Sequence, residues 1–135
     1  MTIAHRLKLS LVEYLLATRP SSDLAVVDAT QAAEMDAPVL GIEVGQPEAH
    51  SVALAHVQRC PVEIRLRLHA GDAANYDANE WIGIVEEALD DPEQIKLLVG
   101  DMVRIDYWLY GGAAQEWDDS IIETTFTAEC LCSRI

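Results

Sequence analysis

A chain of 135 residues is long enough to bury a self-sufficient core as one domain, 1–135, without metal or disulfide staples. Its 23 acidic against 9 basic residues give a formal charge of −14, which repels phosphate backbones and argues against nucleic-acid binding as the main activity. Half the residues are hydrophobic, yet no apolar run approaches the roughly 20 residues of a membrane span, so no membrane partner is expected.

The N-terminal MTIAHRLKLSLVEYLLATRP sets two basic residues before an apolar stretch, but Glu13 interrupts that stretch and Arg19-Pro20 stands where a cleavage site needs small residues. A helix is expected instead of a signal peptide. Over 5–18, Leu7, Leu11, Tyr14 and Leu15 fall on one helical face, widened by Leu9, Val12 and Leu16. Pro20, Ser21 and Ser22 end it. Residues 23–37 are Ala-rich and fit either a short helix or an irregular segment. PVLGIEVG then predicts a strand with Leu40, Ile42 and Val44 on one face and Gly41 and Glu43 on the other. A loop, GQPEAHSVA, follows.

The next strand begins around Val57 and runs through residue 70. Within it, Val62, Ile64, Leu66, Leu68 and Ala70 alternate with Glu63, Arg65, Arg67 and His69, the period of a strand buried on one side. The charged side faces water, a ligand or another protein. GDAANYDAN, 71–79, is a connection with Asn79 as a candidate N-cap. EWIGIVEEALDD places Trp81, Ile84, Val85, Ala88 and Leu89 on the stripe of an amphipathic helix. Pro92 opens a short further helix carrying Ile95, Leu98 and Val99, closed by Gly100. Strands at 102–110 and 120–135 finish the chain. The pattern predicts an α+β fold in the order α-β-β-α-β-β: a mostly antiparallel sheet packed by an N-terminal helix and a central amphipathic helix.

Three cysteines are an odd count without secretory context, which suggests reduced thiols in a cytoplasmic protein. Cys130 and Cys132, with Cys60, His56 and His69 elsewhere, are the only metal-like grouping. On a strand, C-x-C points both thiols to one face about 7 Å apart, unlike a C-x₂-C knuckle wrapped on one ion. Because that face also carries Ile122, Phe126 and Ala128, buried structural thiols are expected, with no metal and no cofactor. The acid pairs Glu86-Glu87, Asp90-Asp91 and Asp118-Asp119 are sequence neighbours whose side chains diverge on regular elements. No G-x-S-x-G elbow is present, and Gly111-Gly112 lacks the Lys-Ser/Thr of a phosphate loop. No catalytic residue is assigned, and a non-enzymatic protein is expected.

Large aromatics are more informative. With Val103, Ile105, Tyr107 and Leu109 on the apolar face of strand 102–110, Arg104, Asp106, Trp108 and Tyr110 take the opposite one. Trp108 and Tyr110 then either cover the stems of Arg65 or Arg67 within one subunit or form a subunit interface. The connection GGAAQEWDD, 111–119, is longer than a hairpin requires. It joins Gly111 and Gly112 to one aromatic, Trp117, and to Glu116, Asp118 and Asp119, a candidate docking loop.

VEIRLRLHAG, EWIGIVEEALDDP and IIETTFTAECLC, in this order of elements, resemble the tail-terminator (tail-completion) proteins of long-tailed bacteriophages and their neck-region relatives. The resemblance is one of element order and hydrophobicity over nearly the whole chain. It implies a virion protein, assembled in the host cytoplasm, that forms a homo-oligomeric ring, generally of six subunits. Such a ring ends the tail tube and meets the tube protein and the head-side connector. The resemblance further implies that Glu63, Arg65, Arg67 and His69 meet a neighbouring subunit with Trp108 and Tyr110 as anchors. An acidic lumen would let DNA pass without sticking. The alternative from another class is an acidic dimeric chaperone of type III secretion. Such chains usually end in a helix, whereas IIETTFTAECLCSRI is expected to end as a strand.

Overall fold

The amphipathic face of the N-terminal segment is what organises one layer. In the computed structural model, which describes residues 1–49, 56–71, 74–98 and 103–134, helix α1 spans Ile3–Thr18. The Thr2 hydroxyl caps it by accepting from the His5 amide at 3.1 Å. Leu7, Leu11, Tyr14 and Leu15 are all buried, as their spacing predicts. Burying each leucine stabilises the fold by about 1.5–3 kcal/mol.

After α1 come strand β1 (Ala25–Asp28), a single-turn helix α2 (Ala29–Ala32), β2 (Val39–Val44), the two-residue β3 (Glu48–Ala49) and the long β4 (Gln58–His69). Helices α3 (Ala78–Leu89) and α4 (Pro92–Leu98) then lead to β5 (Arg104–Asp118) and β6 (Ile121–Ser133). The strands lie side by side as β1-β2-β4-β6-β5, with β3 attached to β4. All pairs are antiparallel except β1 with β2. The fold is therefore α+β with a mixed, mostly antiparallel sheet.

The central pair sets the register. Along β4 and β6, Ile64 stands opposite Phe126, Leu66 opposite Thr124 and Leu68 opposite Ile122, and all six side chains are buried. Ile64, Leu66, Leu68 and Phe126, with Leu40 and Ile42 of β2, form the sheet's half of the core; Leu7, Leu11 and Leu15 of α1, Trp81, Val85 and Leu89 of α3, and Ile95 of α4 supply the other half. Long-range hydrogen bonds tie helices to one another and to the sheet: Tyr14 Oη donates to Ala88 O at 2.6 Å, and Trp108 Nε1 donates to Leu89 O at 2.7 Å.

Several expectations are corrected. The segment 23–37, expected as a short helix or irregular chain, holds both β1 and α2, so the order is longer than α-β-β-α-β-β. The N-cap of α3 is Asp77, not Asn79: its carboxylate accepts from the amides of Asn79 and Glu80. Residues 111–118, expected as a loop, are the second half of β5 and pair with β6. Only Asp119 and Ser120 turn the hairpin, with Asp119 at φ 52. Residues 50–53 of the expected loop, 72–73 of the connection, Val99, Gly100, the start of strand 102–110 at residue 102 and Ile135 lie outside the described residues.

Candidate interaction surface

Opposite the helical layer, the sheet presents the charged side of β4, and much of it is engaged within the chain. Gly41 of β2 lies under α2: a Cβ there would stand 2.7 Å from Ala32 Cβ and 3.2 Å from Ala29 Cα, so only glycine admits the close approach. From the neighbouring strand, Arg67 donates to the carbonyls of Ala32 at 2.5 Å and Met35 at 2.6 Å, and His69 Nε2 stands 3.0 Å from Ala37 O. Both side chains therefore fasten α2 and its exit segment onto the sheet.

Glu63 and Arg65 pair with each other instead, at 2.6 Å. The pair with Glu63, supported by the charges of Glu123 and Glu43, raises the Arg65 guanidinium above its ordinary value. Glu63 stands directly opposite Glu43 on β2, a like-charge cross-strand pair that Arg65 relieves. Past Arg67, a groove of about 420 Å³ runs towards β5, lined by Met35, Asp36, Glu116, Asp118 and Glu123 among others. Of the four β4 residues expected on the charged side, Arg67 and His69 are thus half-buried structural fasteners, while Glu63 and Arg65 are the pair that reaches solvent.

On β5 the expected faces are reversed. A bulge falls between Ile105 and Tyr107: these two pair with Cys132 and Leu131 in turn, leaving Asp106 as the extra residue. Its carboxylate accepts from Arg104 Nε and from Ser133 Oγ, each at 3.0 Å. The slip inverts the side chains that follow, as far as the second bulge at Tyr110 and Gly112. Trp108, expected outside, is 2% exposed and belongs to the core, whereas Tyr107 and Leu109, expected inside, are 50% and 51% exposed. Tyr110 is also turned to the helical side, where it packs partly on the core and donates to Glu86 Oε2 at 2.6 Å. Burial and the Glu86 carboxylate push its phenol well above the ordinary value.

The outward aromatics are therefore Tyr107, with Leu109 and the opposed Leu131 beside it, at one end of the edge strand, and Trp117, 64% exposed, at the other. Between them a second bulge at Tyr110 and Gly112 re-aims the strand, with Gly112 at φ 103. Beyond it, every residue from Ala113 to Asp118 is exposed.

The three thiols lie on the helical side. Cys60, Cys130 and Cys132 are free and fully buried, with the Cys60 and Cys132 Sγ atoms 3.7 Å apart. Contact with Cys130, more than burial, pushes the Cys132 thiol up to about 12, and contact with Cys132 raises Cys60 further still. Such thiols are poor nucleophiles. No helix among the described residues is long and apolar enough to cross a membrane. No family model matches the chain, and no curated protein matches it.

Proposed function

We propose that this chain is a non-enzymatic assembly protein of a long-tailed phage particle, a subunit of the ring that ends the tail tube and joins it to the head-side connector. The observation that carries the reading is the outward set Tyr107, Leu109 and Leu131 on a largely polar sheet face, at its edge strand. Aromatic and aliphatic side chains ringed by charge are the composition of an interface centre. Arg59 and Glu129, ion-paired at 2.9 Å, border the set and would form its polar rim. A heterologous contact of this kind, from one edge of a subunit to a different surface of the next, does not stop at a dimer, and closes into a ring when the rotation between neighbours divides a full turn. The net charge of −14 per subunit suits a lumen through which DNA passes without adhering. The resemblance of VEIRLRLHAG, EWIGIVEEALDDP and IIETTFTAECLC to tail terminators supports the same assignment.

Light scattering after size exclusion, over a concentration series, tests it. The wild-type chain should form a ring-sized species as concentration rises, and Leu109→Asp should hold the chain as a folded monomer with the wild-type circular dichroism spectrum. A dimer of fixed size, unaffected by Leu109→Asp, would move the assignment to the acidic secretion chaperone.

A further inference from the structure

The second half of β5 is an unusual edge. Residues Ala113 to Asp118 pair with Phe126 to Ile121 on one side, and among the described residues no strand lies along the other, so the outward-facing N–H and C=O groups of this half strand are left open. No proline interrupts it. Edges of this length are usually shielded, because they template pairing with another chain.

Charge decides which chain. Glu116 stands opposite Glu123, and with Asp118 they line the groove on the open face, while Asp119 follows in the turn. Two copies of this edge brought together would set carboxylates against carboxylates, which disfavours self-pairing. Within this chain, the base-bearing strand β4 already has neighbours on both sides, β2 and β6. A second copy therefore offers no complementary strand. An extended segment with basic residues at alternate positions does: its backbone would complete the open edge while its cations meet Glu116 and Asp118, Glu123 lying one strand further in, opposite Arg67. On the other face, its intervening side chains would lie along Gln115 and the exposed Trp117.

We infer that residues 113–118 are a strand-addition site for a basic, extended segment of a partner protein, distinct from the Tyr107 and Leu109 surface through which copies of this chain meet. The inference rests on the reading of the chain as an assembly protein, and it names the chemistry of the neighbour that this end of the hairpin takes. It makes the edge selective: acidity excludes a second copy and admits a cationic strand.

The probe is a short peptide alternating lysine and valine, titrated into the full-length protein while backbone amide signals are followed by NMR. Signals of 113–118 should shift saturably. Two N-methylated versions, each blocking one edge of the peptide, should separate: one loses at least about tenfold in affinity and the other binds like the parent, because strand addition uses a single edge. Glu116→Lys with Asp118→Lys should lower affinity by at least about tenfold through like-charge repulsion. No binding, equal binding of both N-methylated versions, or equal binding of a glutamate and valine peptide would overturn the inference. The mass of the same samples reports ring formation independently. Peptide binding by a chain that never forms rings would sink the ring and leave the edge site, whereas rings without peptide binding would do the reverse.

Discussion

The two halves of β5 are one continuous strand paired to one partner, yet they serve opposite ends. From Ile105 to Tyr110 the strand packs its inner side under the helical layer, with Trp108 hydrogen-bonded to the end of α3. From Ala113 to Asp118 it carries two alanines, Gln115, two acids and Trp117, and is exposed throughout. Pairing alone therefore does not make a strand part of the core. What separates the halves is cover: the inner side of the first half lies under the helical layer, whereas that of the second, Trp117 included, is left exposed beyond the glycine bulge at residues 111–112.

Truncating the core side of the first half should give the largest effect. Trp108→Ala removes a buried indole and leaves Leu89 O without its donor; urea unfolding should show a loss of about 3–5 kcal/mol. A loss below about 1 kcal/mol would return Trp108 to the surface. At the boundary, Gly112→Ala imposes a side chain at φ 103 and should cost about 1–3 kcal/mol in the same assay. An unchanged midpoint would show that the bulge relaxes.

The thiols beneath the first half give a pH signature. In the unfolded chain Cys132 ionises near its ordinary 9.0, whereas in the fold it holds its proton to about 12. The native state thus binds more protons in that window. Its stability is fully present below pH 9.0 and declines above it, by up to about 1.4 kcal/mol per pH unit for each such thiol. Cys132→Ala should make the decline shallower, and an identical slope would place its origin elsewhere. The smallest effect belongs to the second half: Trp117→Ala, at an exposed position, should change folding stability by no more than about 0.5 kcal/mol. A larger change would mean that the exposed half strand is structural after all.

Where one rule governs a long segment, the fold is legible in the sequence. The faces of α1, α3 and β4 follow from hydrophobic period alone, because each runs for several turns or pleats against one core. β1 and α2 were hidden because four residues each are too few for a period, and their Ala-rich composition suits several conformations. The interface residues escape the sequence pattern for a sharper reason. Alternation predicts faces only while register is unbroken, and one bulged residue, Asp106, exchanged Trp108 and Tyr110 for Tyr107 and Leu109. Nothing in DYWLY marks it. Similarly, Gly111, Gly112, Ala113 and Ala114 have poor strand propensity, so their place in β5 comes from pairing with β6. Alternation turns Arg67 and His69 away from the core, but their acceptors are backbone carbonyls of a segment about thirty residues earlier, which no spacing rule connects.

The sealed thiols have a practical corollary. All three cysteines of the chain are fully buried, and the Cys60 and Cys132 thiols are pushed well above their ordinary value, so the folded protein should resist maleimide reagents without any cysteine being replaced. A single cysteine introduced at the hairpin tip, as in Asp119→Cys, would then be the one reactive thiol. A dye placed there would report distances between subunits or to a bound partner, using an otherwise unaltered chain.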